Sequence, residues 1–248
     1  MTELQSDYIK EYTKKNQMLI IKDGDMSIKE KHITLGKGSH FKLAIINEIT
    51  EREEAHFKLN IELEEDAQLE LTTLYLGRGN NKENITIYLN GDGSRCDLKA
   101  GYLIDKQTTH VMTYDVFHKG KRTVSNVIVK GALQDEAHKD FKGNLYFKQG
   151  AKGAKGSEVE DAILLSPSAK SYAVPALWCD EDDIMGNHSA SSGKLSKDKL
   201  FYLMSRGLSE EQSKSLMVEA ELNPILNEID EVEVRERISD EIGRRIGK

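Results

Sequence analysis

Three prolines in 248 residues leave most chain reversals to the 19 glycines and to asparagine. Two cysteines, Cys96 and Cys179, with no C-x-x-C pair and no cysteine–histidine cluster, exclude a four-ligand zinc site. Basic residues are not in excess: 35 Lys and Arg stand against 42 Asp and Glu, a net charge of −7, so nothing points to a nucleic-acid partner. The longest apolar runs, such as Met18 to Ile21 and Ala162 to Leu165, fall far short of the ~20 residues of a membrane span. The opening MTELQSDYIKEYTKK has no apolar signal core, so the expectation is a cytoplasmic protein without a membrane partner, where a structural disulfide is not expected either. Also missing are a G-x-x-x-x-G-K-[ST] loop and a G-x-S-x-G elbow; the run Gly150 to Gly156 has two lysines but no hydroxyl placed to hold magnesium. No intrinsic nucleotide site is expected.

What is present is a polar, globular composition, 38% hydrophobic and 31% charged, long enough to bury a real core. Leu4, Tyr8, Ile9 and Tyr12 recur at helical spacing, which predicts a short N-terminal helix over residues 1–18. From 19 to 195 the period changes to alternation, as in His56–Leu63, Gln68–Leu74, Ile85–Leu89, Val127–Val129 and Asn144–Phe147. Glycine-bearing turns separate these stretches roughly every 11 to 18 residues, and no helical pattern intervenes. That is an all-β core, a sandwich, a barrel or a solenoid, with no repeat of fixed length. Small residues at Gly131, Ala132, Gly143, Ala151 and Ala154 favour the solenoid, where stacked rungs crowd one another.

After Gly193 helical spacing returns, giving a C-terminal helical domain over 196–248. Ser196 caps a helix ending at Gly207, Ser209-Glu210-Glu211-Gln212 is a capping box, Asn223-Pro224 ends or restarts the second helix, and Val232 to Ile246 forms a last charged one. Short helices without a large core of their own pack on the main domain or on another protein.

From about residue 108 to 230 several ordered motifs resemble the SufB/SufD family of SUF iron–sulfur cluster assembly proteins. They are Leu164-Leu165-Ser166, Val174-Pro175-Ala176-Leu177, Asp182-Asp183-Ile184-Met185-Gly186-Asn187-His188 and Leu200 to Gly207. The resemblance implies a right-handed parallel β-helix whose end strands pair two subunits and a C-terminal helical domain that docks a SufC-type ATPase. It implies as partners a SufC-like ATPase and either a SufB-like chain or a second copy of this one. Members of the family carry a longer N-terminal helical region than the 18 residues seen here.

By the same resemblance His188 matches the histidine that in the SufD branch faces the partner subunit near the proposed cluster assembly site, where a neutral imidazole can ligate iron or shuttle a proton. The competing reading is an interface histidine held by hydrogen bonds. The SufB branch carries a cysteine where this chain has Ala169 and glutamates where it has Asn187 and Ser189; many SufD-like chains have a cysteine where it has Gly186. The chain is therefore closer to SufD, with an incomplete site. Cys179, nine residues before His188, is a candidate substitute thiolate, weighed against the usual fate of a lone strand cysteine as a small buried apolar residue. Cys96 reads as core. His110 matches a family histidine and, with His118 eight positions on, reads as structural; His32, His40, His56 and His138 read as surface residues.

The expectation is a non-enzymatic scaffold component. His188 and Cys179 are its candidate ligands for iron or a transient iron–sulfur cluster, and Phe201, Tyr202 and Arg206 its candidate partner contacts, although both aromatics could equally pack inward. The alternative is a β-helix interaction or regulatory subunit that ligates no cluster. A carbohydrate-active β-helix enzyme is a distant third, since Asp180 to Asp183 is the only dense acidic run and such runs are more often solvated turns.

Overall fold

A computed structural model describes residues 5–21, 30–49 and 55–247. Fourteen strands wind into a parallel β-solenoid, followed by three helices. The odd strands form one seven-stranded sheet in the order β1 (Gln5–Ile9), β3 (Glu30–Leu35), β5 (Ala55–Leu63), β7 (Asn81–Leu89), β9 (Thr109–His118), β11 (His138–Phe147) and β13 (Lys170–Cys179). The even strands form the other, from β2 (Lys14–Ile21) through β4 (His40–Asn47), β6 (Gln68–Tyr75), β8 (Arg95–Ile104), β10 (Val124–Leu133) and β12 (Ala154–Leu164) to β14 (Ile184–Lys194). Every pairing is parallel.

The coil has no fixed repeat because its circuits differ in length. Lys14 pairs with His40, a step of 26, and Val124 with Lys155, a step of 31. The longer circuits have longer strands, ten residues each in β10 and β11 against eight and six in β2 and β3. At one corner Tyr12, Gly38, Asp66, Gly93, Arg122 and Gly153 all have positive φ, from 53° to 72°. Each donates its N–H to a carbonyl in the circuit above, as Gly38 does to Glu65 and Gly153 to Asp183, so the left-handed turn is repeated rung after rung. Glycine adopts this conformation without steric cost, which explains the three glycines there, while Tyr12, Asp66 and Arg122 carry that cost.

Inside, Ile61, Leu63, Ile87, Leu89, Leu98, Val129, Phe141, Leu145 and Phe147 are fully buried in one continuous core. The small residues act largely as their sequence suggests. A Cβ on Gly131 would lie 2.3 Å from the Tyr102 ring, and Ala151 and Ala154 are buried between rungs. Ala132 instead faces outward, beneath the tail helices.

Helix α1 (Lys197–Ser205) is capped by Ser196, and α2 (Glu210–Leu226) begins with the capping box of Ser209 and Gln212. Pro224 does not end α2; it sits inside the last turn, where the missing N–H removes a single helical bond. Together α2 and α3 (Val232–Ile246) lay Val218, Leu222, Leu226, Ile238 and Ile242 on Ile46, Leu74, Leu103 and Ala132 of the even sheet and on Leu76 just past β6. Ion pairs surround this contact, Lys42 with Asp230, Lys99 with Glu228, Lys130 with Glu221 and Arg237 with Glu48.

One expectation fails. No helix occupies residues 5–18; β1 and β2 are the first circuit of the coil, and Leu4 lies outside the described residues. A helix that short has little stability of its own, whereas pairing with β3 and β4 satisfies the backbone along the sheet edge and buries Ile9 and Ile21. Residues 5–18 therefore belong to the coil rather than preceding it.

Candidate functional site

The terminal rung, β13 and β14, is the last strand of both sheets, and its outer edges carry unpaired main-chain donors and acceptors. Tyr172, Val174, Trp178 and Met185 are exposed on it, a run of large apolar side chains unlike the buried alternation of the strands below. Trp178 also ends a ladder of rings on the outer face of the odd sheet. Tyr88, Phe117, Tyr146 and Trp178 stack from rung to rung with centroids 5.0, 4.3 and 6.0 Å apart.

His188 belongs to this rung. Gly186, two residues earlier, faces inward, since a Cβ there would lie 3.3 Å from Leu177 and 3.2 Å from Phe147. The two-residue period of the strand puts His188 on the same inner face, exposed only because no further rung lies over it. Its register partner is Glu158 on β12.

Cys179 is exposed and also shares the inner parity, above Phe147, but it stands at the corner beside Ile184. Ile184 and His188 are four residue steps apart on β14, about 13 Å along the strand. The candidate ligands thus share a rung without converging, and among the described residues no three His, Cys, Asp or Glu side chains gather into a metal-binding group. Ala169 is buried where β13 begins, contributing only a methyl to the core.

Beneath the terminal rung the interior is unexpectedly polar. Asn81, His110, Lys139 and Ser171 form one register column on four successive odd strands, all facing inward. Lys139 Nζ lies 2.5 Å from Glu160 Oε1 in an ion pair closed to solvent, and Tyr102 donates to the same oxygen at 3.3 Å. Burial lowers the Lys139 pKa and raises that of Glu160, each held back by the other's charge. Glu158 faces Gly143, where a Cβ would lie 2.0 Å from its Oε1. Burial, aided by the charge of Glu160, pushes the Glu158 carboxyl up to about 7. Sequence reading missed Lys139, Glu158 and Glu160 because Glu158-Val159-Glu160 looks like a strand whose charges face water. The usable signal was the small residue Gly143 opposite.

The remaining titratable groups are structural. Burial lowers His110 to about 3 and His118 to about 4, so both rings stay neutral. Asn81 donates to His110 Nδ1, and His118 bonds Thr123 and Ser125 while stacking on Phe147. Burial pushes the Cys96 thiol far up, which makes it unreactive.

In the tail, α1 buries none of its residues. Phe201 is 75% exposed and Tyr202 56%, with the Arg206 guanidinium 5.3 Å from the Tyr202 ring centre, so the three candidate contacts lie together in solvent. The inward packing that their apolar character also allowed does not occur.

A family model described as the SufBD core domain of SUF-system FeS cluster assembly matches residues 5–221. The chain belongs to the SufBD family. Among curated relatives, the iron–sulfur cluster assembly protein SufD of Bacillus subtilis is 29% identical over 181 residues, covering 73% of this chain and 41% of that protein. An iron–sulfur cluster assembly SufBD family protein of Mycobacterium leprae is 30% identical over 184 residues, covering 71% of this chain and 47% of that one. The chain thus spans less than half the length of these relatives. Among the described residues, no helix is long and apolar enough to cross a membrane.

Proposed function

We propose that this chain is a SufD-like scaffold component of iron–sulfur cluster assembly, not an enzyme. It pairs through its terminal rung with a SufB-like chain or a second copy, and docks a SufC-like ATPase through α1. The observation that carries the reading is the open rung itself: two edge strands, with His188 on its inner face and the exposed apolar residues Tyr172, Val174, Trp178 and Met185 on its outer faces. A sheet edge with an apolar row is suited to being covered by another sheet edge. Pairing there would bring His188 against the partner, where its imidazole can ligate iron of a transient cluster that is cargo rather than resident cofactor. The residues fit this in part. One imidazole and one distant thiol supply two donors, so the other ligands must come from the partner.

The exposed pair Phe201 and Tyr202 on α1, with Arg206 at its C-cap, is suited to anchoring a partner because aromatic and arginine side chains dominate such contacts. Removing residues 196–248 would be a poor test, since α2 and α3 cover an apolar face of the coil. The better test is Phe201→Ala, Tyr202→Ala and Arg206→Ala together in a pull-down with the neighbouring SufC-like ATPase. Loss of binding in a folded variant supports docking at α1; undiminished binding rejects it.

The second reading, an interaction subunit without cluster ligation, is favoured by Ala169 and by the separation of Cys179 from His188. Anaerobic reconstitution with iron and sulfide, alone and with SufB-like and SufC-like chains, separates the two. His188→Ala should lower cluster yield in the mixed assembly, and equal yields there would leave only the interaction role.

A further inference from the structure

One rung beneath the open end lies a carboxylate for which the coil provides no partner. Glu158 is buried, 1% exposed, and its Oε1 has no hydrogen-bond partner among the described residues. Its register neighbours are Val127 below and His188 above. Across the interior stand Gly143 and, in the rung above it, Pro175, neither with a side-chain donor. Lys139 is bonded to Glu160. Of the residues directly below, above and across from Glu158, only His188 has a side-chain N–H to give.

Among the described residues His188 makes no hydrogen bond, and it stands directly above Glu158 on the same inner face, at the ~4.8 Å spacing of paired strands. The two side chains are therefore direct neighbours on adjacent strands of one face. We propose that Glu158 is a positioning residue for His188: its carboxylate accepts the N–H of one ring nitrogen, so that the other turns its lone pair to the open end of the coil. The accepted bond selects one tautomer and makes the free nitrogen a stronger donor, as carboxylates behind metal-binding histidines do. The proposal deepens the reading of His188 as an iron ligand and rests on it for its purpose, though the contact itself does not.

The test is the tautomer of His188 in the metal-free full chain, read from ¹⁵N-labelled histidine by long-range ¹H–¹⁵N correlation at pH 8, with His188→Ala supplying the assignment. One tautomer should dominate. Glu158→Leu should move the ratio about fivefold towards that of a free blocked histidine, while Glu158→Gln, whose amide oxygen still accepts, keeps most of the bias. Unchanged signals of the buried His110 and His118 report that the fold persists. A wild-type ratio equal to that of the free blocked histidine overturns the proposal whatever the variants do, and so does a bias that Glu158→Leu leaves intact. Iron(II) titration of His188→Ala is read separately: unaltered binding with the tautomer bias present retains the contact and removes the ligand role.

Discussion

Glu83 lies in the middle of the coil, 5% exposed, and the prediction it supports concerns stability against pH. Its carboxylate accepts a hydrogen bond from Tyr114 at 3.0 Å, and no basic side chain is paired with it among the described residues. Beside it is a small cavity lined by Asn47, Thr73, Phe57 and Leu74. Burial outweighs the hydrogen bonds from Tyr114 and Thr73 and lifts the carboxyl from an ordinary 4.5 to about 7. Because the folded value lies above the unfolded one, folding favours the protonated form. The associated stability is full below 4.5 and is lost as pH rises through 7. Linkage over that shift gives a cost of about 0.8 kcal/mol at pH 5 and about 3 kcal/mol at pH 8. Glu83→Gln keeps the shape and the acceptor for Tyr114 without the charge. Relative to wild type, it should therefore gain about 2.5 kcal/mol between pH 5 and pH 8, or roughly 5–10 °C in Tm for a chain of this size. Urea unfolding of both proteins across that range checks it, and the difference between the curves removes every other group that titrates. Parallel curves would show that Glu83 is hydrated or paired in solution and refute the reasoning.

Three further outcomes follow from the packing. Lys139→Met leaves Glu160 buried without its cation and should cost about 3–5 kcal/mol in urea unfolding, most of it recovered when Glu160→Leu is added. Leu222→Ala, at the centre of the contact between tail and coil, should cost about 2–5 kcal/mol by calorimetry. Trp178 is the only tryptophan and stands half-exposed on the terminal rung, so pairing there should shift its fluorescence to the blue as protein or partner concentration rises. Trp178→Lys should abolish complex formation in sedimentation; complexes of unchanged affinity would place the interface elsewhere.

The strands were legible because a half-buried strand alternates, and the stretches read at 56–63, 68–74 and 85–89 lie within β5, β6 and β7. The tail was legible because caps are local: Ser196 and Ser209 each accept from the residue three positions on. The first circuit was not. Five residues of β1 become a strand through β3, more than twenty positions away, and spacing within the segment carries no trace of that neighbour.

The interior charges were illegible for a deeper reason, and it bears on the site. A solenoid does not require every inward position to be apolar, because a polar side chain there can be answered by another in the rung above or below or across the core. Lys139 answers Glu160, and Asn81 answers His110. In sequence these partners lie 21 and 29 positions apart, so no local pattern marks either member as buried. The terminal rung is where such answering stops. Glu158 has only His188 above it, and His188 has nothing above at all. The last circuit therefore leaves a donor, an unpaired carboxylate and two bare strand edges at one end of the molecule. A partner covering that end would close all three, which is what favours the proposed pairing and ligation at the end of the coil over its interior.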